Sequence, residues 1–318
     1  MTDPTVAVVV LACNHVRYIR QCIESVIGQV GDVSLHVTIF DDASDDGTSD
    51  ILADMAAANP SFVTHVRHPQ RLGGSENFRQ ALTRARARYI AYLDGDDWWL
   101  PGKLKAQLAR IEGRLDVAAV YTNALTVRED GSPLGVFNDV GDAQFDLGEL
   151  LRRGNFLNSS SMLFRTDLLA PVLAGDGPLL DYLVHLRLAR SGLLVHLGQA
   201  LVAYRVGSQG SSLAGANDAI RRLYWEAILD VPRERVSDAI FAEGIADFLR
   251  RVIFRSMRTR RAGLVLDWMP RVFAASPYGT VRTALLVMAS VARMIAKEAL
   301  SYTTRKTNGR RTLVMYRR

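Results

Sequence analysis

Apolar and polar positions follow one another along this chain in blocks of two different periods. Residues Val6 to Leu11 are an unbroken apolar run, as in a short strand buried on both faces. In the next stretch, "HVRYIRQCIESVIGQV", the period lengthens, and Ile19, Cys22, Ile23, Val26 and Ile27 fall on one side of a helix. "SLHVTIFDD" reads as a second strand ending at Asp41 and Asp42, and "TSDILADMAAANP" as a helix stopped by Asn59 and Pro60. "FVTHVRH", "GSENFRQALTRARA" and "YIAYLD" continue the series as strand, helix and strand. Such alternation predicts an α/β fold whose mainly parallel central sheet is covered by helices on both faces. Ligands of these sheets bind outside the carboxyl ends of the strands, which makes the strand-end residues the first candidates.

Beyond Leu100 the pattern loosens. "PGKLKAQLARIEG" is helical, with Pro101 suited to the first helical position, and "VAAVYTNALTVR" is a strand. "DGSPLG" reads as a turn, and residues 136–158 as mixed and loop-rich. "SSSMLFRTDLL" is a strand running into a helix start, "LLDYLVHLRLARSG" a helix with a glycine stop, and "LVHLGQALVAYRV" one or two strands. "GSQGSSLAG" is a polar boundary, and from about Asn217 to Tyr302 the chain reads as helical. The expected division is a catalytic unit over 1–215 and a helical, strongly basic region over 216–318.

Length and composition fit this reading: 318 residues, 48% of them hydrophobic, suffice for one or two domains with a real core. The start, "TDPTVAVVVLACNH", is too short in its apolar run for a signal core or a membrane span, which leads to the expectation of a cytoplasmic protein. Cys13 and Cys22 have no CxxC spacing, and read as two buried thiols. The net charge of +6 conceals an asymmetry, since Arg250 to Arg318 holds sixteen Lys or Arg against two acidic residues. That tail fits nucleic acid, anionic lipid, an acidic partner or an acidic substrate, whereas the acidic front argues against nucleic acid as the main substrate.

The candidate chemistry lies in two clusters, Asp41, Asp42, Asp45 and Asp46 after the second strand and Asp94, Asp96 and Asp97 after the fourth. Carboxylates so close repel one another unless a positive charge sits among them. Mg2+ and Mn2+ prefer oxygen ligands, and need few from the protein when a diphosphate supplies others. Asp94-Gly95-Asp96 at a strand end suits that task. Aspartates also cap helices and fill turns, and phosphatases and nucleases use similar rims, so the clusters alone leave the reaction open.

Taken in order, the blocks "VVVLACNHVRYIRQCIESVIGQ", "FDDASDDGTSD", "HPQRLGGSENFRQAL", "YIAYLDGDDWWLPGKLKAQ", "NSSSMLFRTDLL", "LLDYLVHLRLARSG" and "LVAYRVGSQGSS" resemble the inverting glycosyltransferases of family 2, which have the GT-A fold. "GGSENF" followed by "LDGDDWWLPGKL" is most similar to the polysaccharide-building branch that includes rhamnosyltransferases. The resemblance implies a nucleotide site in which backbone around Ala12 and Asn14 touches the base and Asp41 or Asp42 accepts from it. Gly73, Gly74 and Asn77 would lie near the nucleotide and diphosphate, with Arg71 reaching the phosphates. Asp94 would sit near ribose, Asp96 would bind a Mg2+ or Mn2+ ion, and Asp97 would hold the turn. Asp181 falls on the catalytic base, with Leu180 where relatives carry Glu. Gly207 replaces the histidine of a "YRxH" motif, leaving Arg205, Ser208, Gln209 or Ser211 as substitutes. His185 would pack or line the acceptor side, and of Trp98 and Trp99 one would turn inward and one border the cleft.

The expected reaction is transfer of a sugar from a UDP- or dTDP-linked donor to a hydroxyl of a glycan, lipid-linked or small-molecule acceptor. The alternatives are a metal-dependent nucleotidyltransferase, against which "LACNHVRY" lacks a glycine-rich phosphate loop, and a non-catalytic nucleotide-sugar-binding protein. The tail fits contact with the inner face of the cell membrane, and equally a helical subdomain or homodimer interface with a basic solvated face.

Overall fold

The computed structural model describes residues 4–31, 33–208, 218–308 and 313–316, with 297–308 as backbone only. Strand and helix alternate first as β1 (Val6–Ala12), α1 (Ile19–Ile27), β2 (Leu35–Asp41), α2 (Thr48–Ala58), β3 (Val63–Arg67), α3 (Gly74–Arg84) and β4 (Tyr89–Asp94). There follow β5 (Trp98–Trp99), α4 (Lys103–Ile111), β6 (Val117–Val127), β7 (Pro133–Asn138), β8 (Ala143–Phe145) and α5 (Leu147–Arg153). β9 (Leu163–Arg165), the short α6 (Leu169–Val172), α7 (Asp181–Ser191) and β10 (Leu193–Arg205) complete the part that resembles a catalytic unit. The last elements are α8 (Asp218–Leu229), α9 (Asp238–Thr259), α10 (Gly263–Ala275), α11 (Thr280–Asn308) and β11 (Leu313–Tyr316).

The sheet is mixed, which corrects the expectation of a mainly parallel one. Its path runs β11-β7-β6-β9-β4-β1-β2-β3, and β10 lies along β6. Parallel pairing holds from β3 through β2 and β1 to β4, where each crossover carries a helix. β9 then runs antiparallel to both β4 and β6, and β7 folds back on β6 through a tight turn at Asp130–Ser132, with Gly131 at φ 84°. That hairpin draws Pro133–Gly135 of the expected turn into β7. Residues 136–158 are more ordered than their composition implies: a capping box, in which Asp146 accepts from the Glu149 backbone and Glu149 returns the bond, starts α5. Trp98 and Trp99 pair with Ala203 and Val202 of β10, so they are a short strand and not only a turn. Pro101 precedes the helix; α4 starts at Lys103 behind Gly102, whose φ is 79°.

Alternation along the strands divides the core. Val6, Val8, Val10 and Ala12 of β1 face a cluster with Ile19, Cys22 and Ile23 of α1 and Leu104 and Leu108 of α4. Ala7 and Val9 face the opposite cluster, which takes in Phe78, Tyr121 and Leu186 and runs without a break to Trp225, Phe248, Trp268 and Val272 in the C-terminal helices. Those helices are thus packed into the same core as one face of the sheet. The expected boundary at 215 lies outside the described residues. Both cysteines are free, Cys22 buried and Cys13 half-buried.

Candidate active site

The carboxyl ends of β1, β2 and β4 are level: Ala12 is in register with Asp41, and Leu11 with Asp94. Both aspartate clusters therefore reach one rim of the sheet.

In the first cluster each aspartate has donors. Buried Asp41 accepts from the Ser44 backbone at 2.9 Å, from the Ser49 hydroxyl, and lies 3.4 Å from His65 Nε2. Burial opposes its ionisation, but the hydrogen bonds from His65, Ser44 and Ser49 outweigh this and hold the carboxyl well below the usual range. Asp42 accepts from the backbone of Leu72 at 2.6 Å and Gly73 at 2.9 Å, which fixes the loop leading into α3. Gly73 takes up φ 83° there, a region costly for other residues. Asp45 pairs with the Asn14 amide at 2.8 Å and with Arg71 at 3.1 Å, both toward solvent. Asn14 itself holds φ 57°. The Ala12 carbonyl accepts from the Asp42 backbone at 2.8 Å. Asn77 is turned inward, donating to the Phe40 carbonyl at 3.1 Å and meeting His68 at 2.9 Å.

The second cluster is differently supplied. Asp94 and Asp96 are half-buried, and Asp97 is buried. Asp94 accepts from the Tyr92 hydroxyl, and Ser160 Oγ stands 3.3 Å away. Asp97 accepts from Ser160 Oγ at 2.6 Å and from the Arg205 backbone at 2.8 Å. Asp96 accepts from Ser208, one of the expected substitutes for the missing histidine. Gln209 and Ser211, also expected there, lie outside the described residues. Burial, then the Asp96 charge, pushes the Asp94 carboxyl up to about 7. Burial and the charges of Asp96 and Asp94 likewise raise Asp97 well above its ordinary value.

Arg205 stands beside this cluster without neutralising it. Its side chain donates to the backbone carbonyls of Asp96 at 3.0 Å and Arg128 at 3.2 Å, and to Gln21 at 3.2 Å. The guanidinium lies over the rings of Tyr18 (4.3 Å) and Trp98 (5.1 Å). It thus ties β10 to the loops after β4 and β6. Trp98 is half-exposed at the rim, while Trp99 is buried and donates from Nε1 to the Ser160 carbonyl at 2.8 Å.

Asp181 opens α7, close enough to Asp94 for its charge to raise that carboxyl. Its carboxylate accepts from the Tyr182 backbone at 2.6 Å, from Asn155 Nδ2 at 2.8 Å and from the Tyr224 hydroxyl at 3.4 Å. Burial raises its pKa despite these bonds. His185, one turn on, is fully buried edge-on to Tyr121 at 4.9 Å and bonded to Asn155 at 3.2 Å. Burial takes its pKa down to about 3, so it is neutral and packed inside. Sequence reading missed Tyr92, Asn155, Ser160 and Tyr224. Only the serine run of "NSSSM" offered a signal: Ser159 bonds Asp181, Ser160 the Asp94–Asp97 pair, and Ser161 the backbone of β6.

Among the described residues no group of three or more His, Cys, Asp or Glu converges to hold a metal ion unaided. Asp94 and Asp96 nonetheless suit a cation shared with a ligand: both reach the open rim, and Asp94 is held up by a like charge that a cation would offset.

Comparison with known proteins gives this geometry a class. Residues 7–132 match the family model "Glycosyl transferase family 2". The uncharacterized protein Rv1520 of Mycobacterium tuberculosis is 27% identical over 260 residues, 77% of this chain and 74% of its own. The putative teichuronic acid biosynthesis glycosyltransferase TuaG of Bacillus subtilis is 35% identical over 135 residues, 42% of this chain and 52% of its own. Among solved structures, S. aureus TarS 1-349 in complex with UDP-GlcNAc superposes with a TM-score of 0.68 at 18% identity, covering 89% of this chain and 84% of that one. The mannosyltransferase PcManGT from Pyrobaculum calidifontis, solved with GDP-Man and Mn2+, has a TM-score of 0.58 at 19% identity, covering 95% and 84%. These two likenesses are of fold. With the family match, they make this chain an enzyme of glycosyl transfer with a family 2 glycosyltransferase fold.

Proposed function

We propose that the enzyme is an inverting glycosyltransferase that moves a sugar from a nucleoside-diphosphate sugar to a hydroxyl of a glycan or lipid-linked acceptor in cell-surface polysaccharide or glycoconjugate synthesis. The observation that carries this is the meeting of two unlike carboxylate sites: Asp94 and Asp96 at and just after the end of β4, and Asp181 at the start of α7, near enough for its charge to raise the Asp94 carboxyl. The first site holds the donor. Asp41 and the segment from Ala12 to Asn14 form the nucleotide end, Asp42 shapes the Gly73 loop, and Arg71 faces the phosphates. Asp94 would take the ribose, and Asp96 would hold a Mg2+ or Mn2+ ion. That ion, when bound, supplies charge neutralisation for the departing diphosphate. Asp181 takes the proton of the acceptor hydroxyl as that oxygen bonds to the anomeric carbon. The bond to the diphosphate breaks on the opposite face, so one displacement inverts the centre. Trp98 borders the acceptor path.

TarS with UDP-GlcNAc and PcManGT with GDP-Man and Mn2+ support a nucleotide-sugar donor and a metal, and TuaG supports polysaccharide synthesis. UDP- and dTDP-sugars are the first donors to test. A panel of nucleotide sugars, with and without Mn2+, should give one donor that raises the melting temperature and releases nucleoside diphosphate. A panel with no stabilising donor defeats the reading. Asp181→Asn should bind that donor as the wild type does and lose about 10²- to 10⁴-fold in transfer; full retained transfer removes Asp181 as the base.

We further propose that the C-terminal helices rest on an anionic lipid surface. Val281, Leu285, Met288 and Ile295 form an exposed stripe on α11, with exposed Arg282 and Arg293 beside it. Among the described residues no helix is long and apolar enough to cross a membrane. Co-sedimentation with phosphatidylserine vesicles, lost in high salt, is the expected result. A stable dimer in solution that ignores vesicles assigns the stripe to a second copy.

A further inference from the structure

Tyr224 brings the C-terminal helices to Asp181. Tyr224 of α8 lies 43 residues beyond Asp181, stacks on Tyr182 with centroids 5.6 Å apart, and points its hydroxyl at Asp181 Oδ1. Asn155, in the loop after α5, joins the same group. Its Nδ2 is 2.8 Å from Asp181 Oδ2 and 3.1 Å from the Tyr224 hydroxyl, and its Oδ1 is 3.2 Å from His185 Nδ1.

Proton positions follow from this arrangement. The carboxylate only accepts, so the amide presents nitrogen to it, and Oδ1 faces His185. Neutral His185 must then donate from Nδ1. The two amide protons go to Asp181 and to the phenol oxygen, which leaves the phenol proton free to point at the carboxylate. Each oxygen of Asp181 is thereby held by a side chain from another element, with the Tyr182 backbone and Ser159 as further donors. The loop that carries Asn155 is itself tied to α9. Arg251 donates to the Arg153 carbonyl at 2.7 Å and to Asp247 at 2.7 Å.

We infer that Asn155 and Tyr224 are positioning residues for Asp181, an amide and phenol clamp whose second half the C-terminal helices contribute to the acceptor side of the active site. This rests on the reading of Asp181 as the general base. The clamp keeps one carboxylate lone pair aimed at the acceptor hydroxyl and supports the ionised form against the burial that raises its pKa. Other titratable or charged groups facing it are Tyr121 of β6, Asp94 of β4, and Tyr182 and His185 of α7; Tyr316 of β11 and Arg251 of α9 face Tyr224.

The test is Tyr224→Phe in the full chain, which keeps the ring stack. With the donor found in the panel, kcat should fall about 10- to 100-fold while donor KM and melting temperature stay near wild type. The acid limb of kcat/KM should move up by about one pH unit, because the carboxylate has lost a donor. Asn155→Ala, which removes a donor from Asp181 and from Tyr224, should shift the limb at least as far. Wild-type kcat and an unmoved acid limb in Tyr224→Phe overturn the inference, as does a loss confined to melting temperature and donor KM. Asp181→Asn separates the two readings: if it is dead while Tyr224→Phe is unchanged, only the clamp fails, and if it stays active the base assignment fails first.

Discussion

The two aspartate clusters are alike on paper, "FDDASDD" and "LDGDD", and opposite in the folded chain. After β2, Asp41 and Asp42 meet backbone N–H groups, a serine hydroxyl and a histidine, and the Asp41 carboxyl is held ionised. After β4, Asp94, Asp96 and Asp97 meet mostly hydroxyls and one another, and two of them are held toward the neutral form. In the first cluster Asp41 and Asp42 are held by the protein's own donors, and Asp42 fixes the loop into α3. The second is short of positive charge and suits an external cation. Proximity of carboxylates therefore says little until their donors are counted, since a backbone N–H favours the ionised form and a neighbouring carboxylate opposes it.

Removing one member of each cluster sharpens this contrast. Asp96→Asn should cost about 10²- to 10³-fold in transfer, because it deletes the carboxylate proposed to hold a cation, while melting temperature holds or rises as a like charge disappears. A variant that keeps its rate but unfolds earlier reverses the assignment. Asp41→Asn should instead show in denaturant unfolding, with about 1–3 kcal/mol lost as the Ser44 and Ser49 donors and His65 lose a charged acceptor. Unchanged stability there means the cluster is not the scaffold we describe.

The smallest effect is in pH dependence, where the clusters have opposite signs. Asp94, raised to about 7, keeps a proton in the folded chain that the unfolded chain releases. Its contribution to stability therefore declines as pH rises from about 4 toward 7. Asp41 is depressed, so its contribution is present above about pH 4 and lost as pH falls further. Metal-free protein should lose a few degrees of melting temperature across the upper window, and Asp94→Asn or added Mn2+ with donor should flatten that slope. An unaltered slope in Asp94→Asn would place the titrating group elsewhere.

Much of the first half was legible. The helix face of Ile19, Cys22, Ile23 and Val26, the strand ends at Asp41 and Asp94, and the stop at Asn59 all follow from local periodicity and punctuation. Legibility fell beyond β4. The strand in "SSSMLFRTDLL" could be read as β9, but two-residue β5 and the four residues of β11 carry too little pattern to announce themselves, and their partners are set by packing. Asp181 was readable as a helix start in "LLDYLVHLRLARSG", but the side chains that hold it were not.

By itself, the sequence determined the order of strands and helices through β4 and the placing of acidic groups at the ends of β2 and β4, because both depend on residues a few places apart. It also placed Asp181 at the start of a helix. Only the tertiary structure decided which carboxylates are satisfied, which are left short of positive charge, and what holds Asp181. Those outcomes rest on hydrogen bonds from distant segments: Leu72 and Gly73 to Asp42, Ser160 to Asp97, Ser208 to Asp96, Asn155 and Tyr224 to Asp181. A donor that arrives from tens of residues away leaves no period in the chain, and its effect depends on a geometry that exists only once the core has closed.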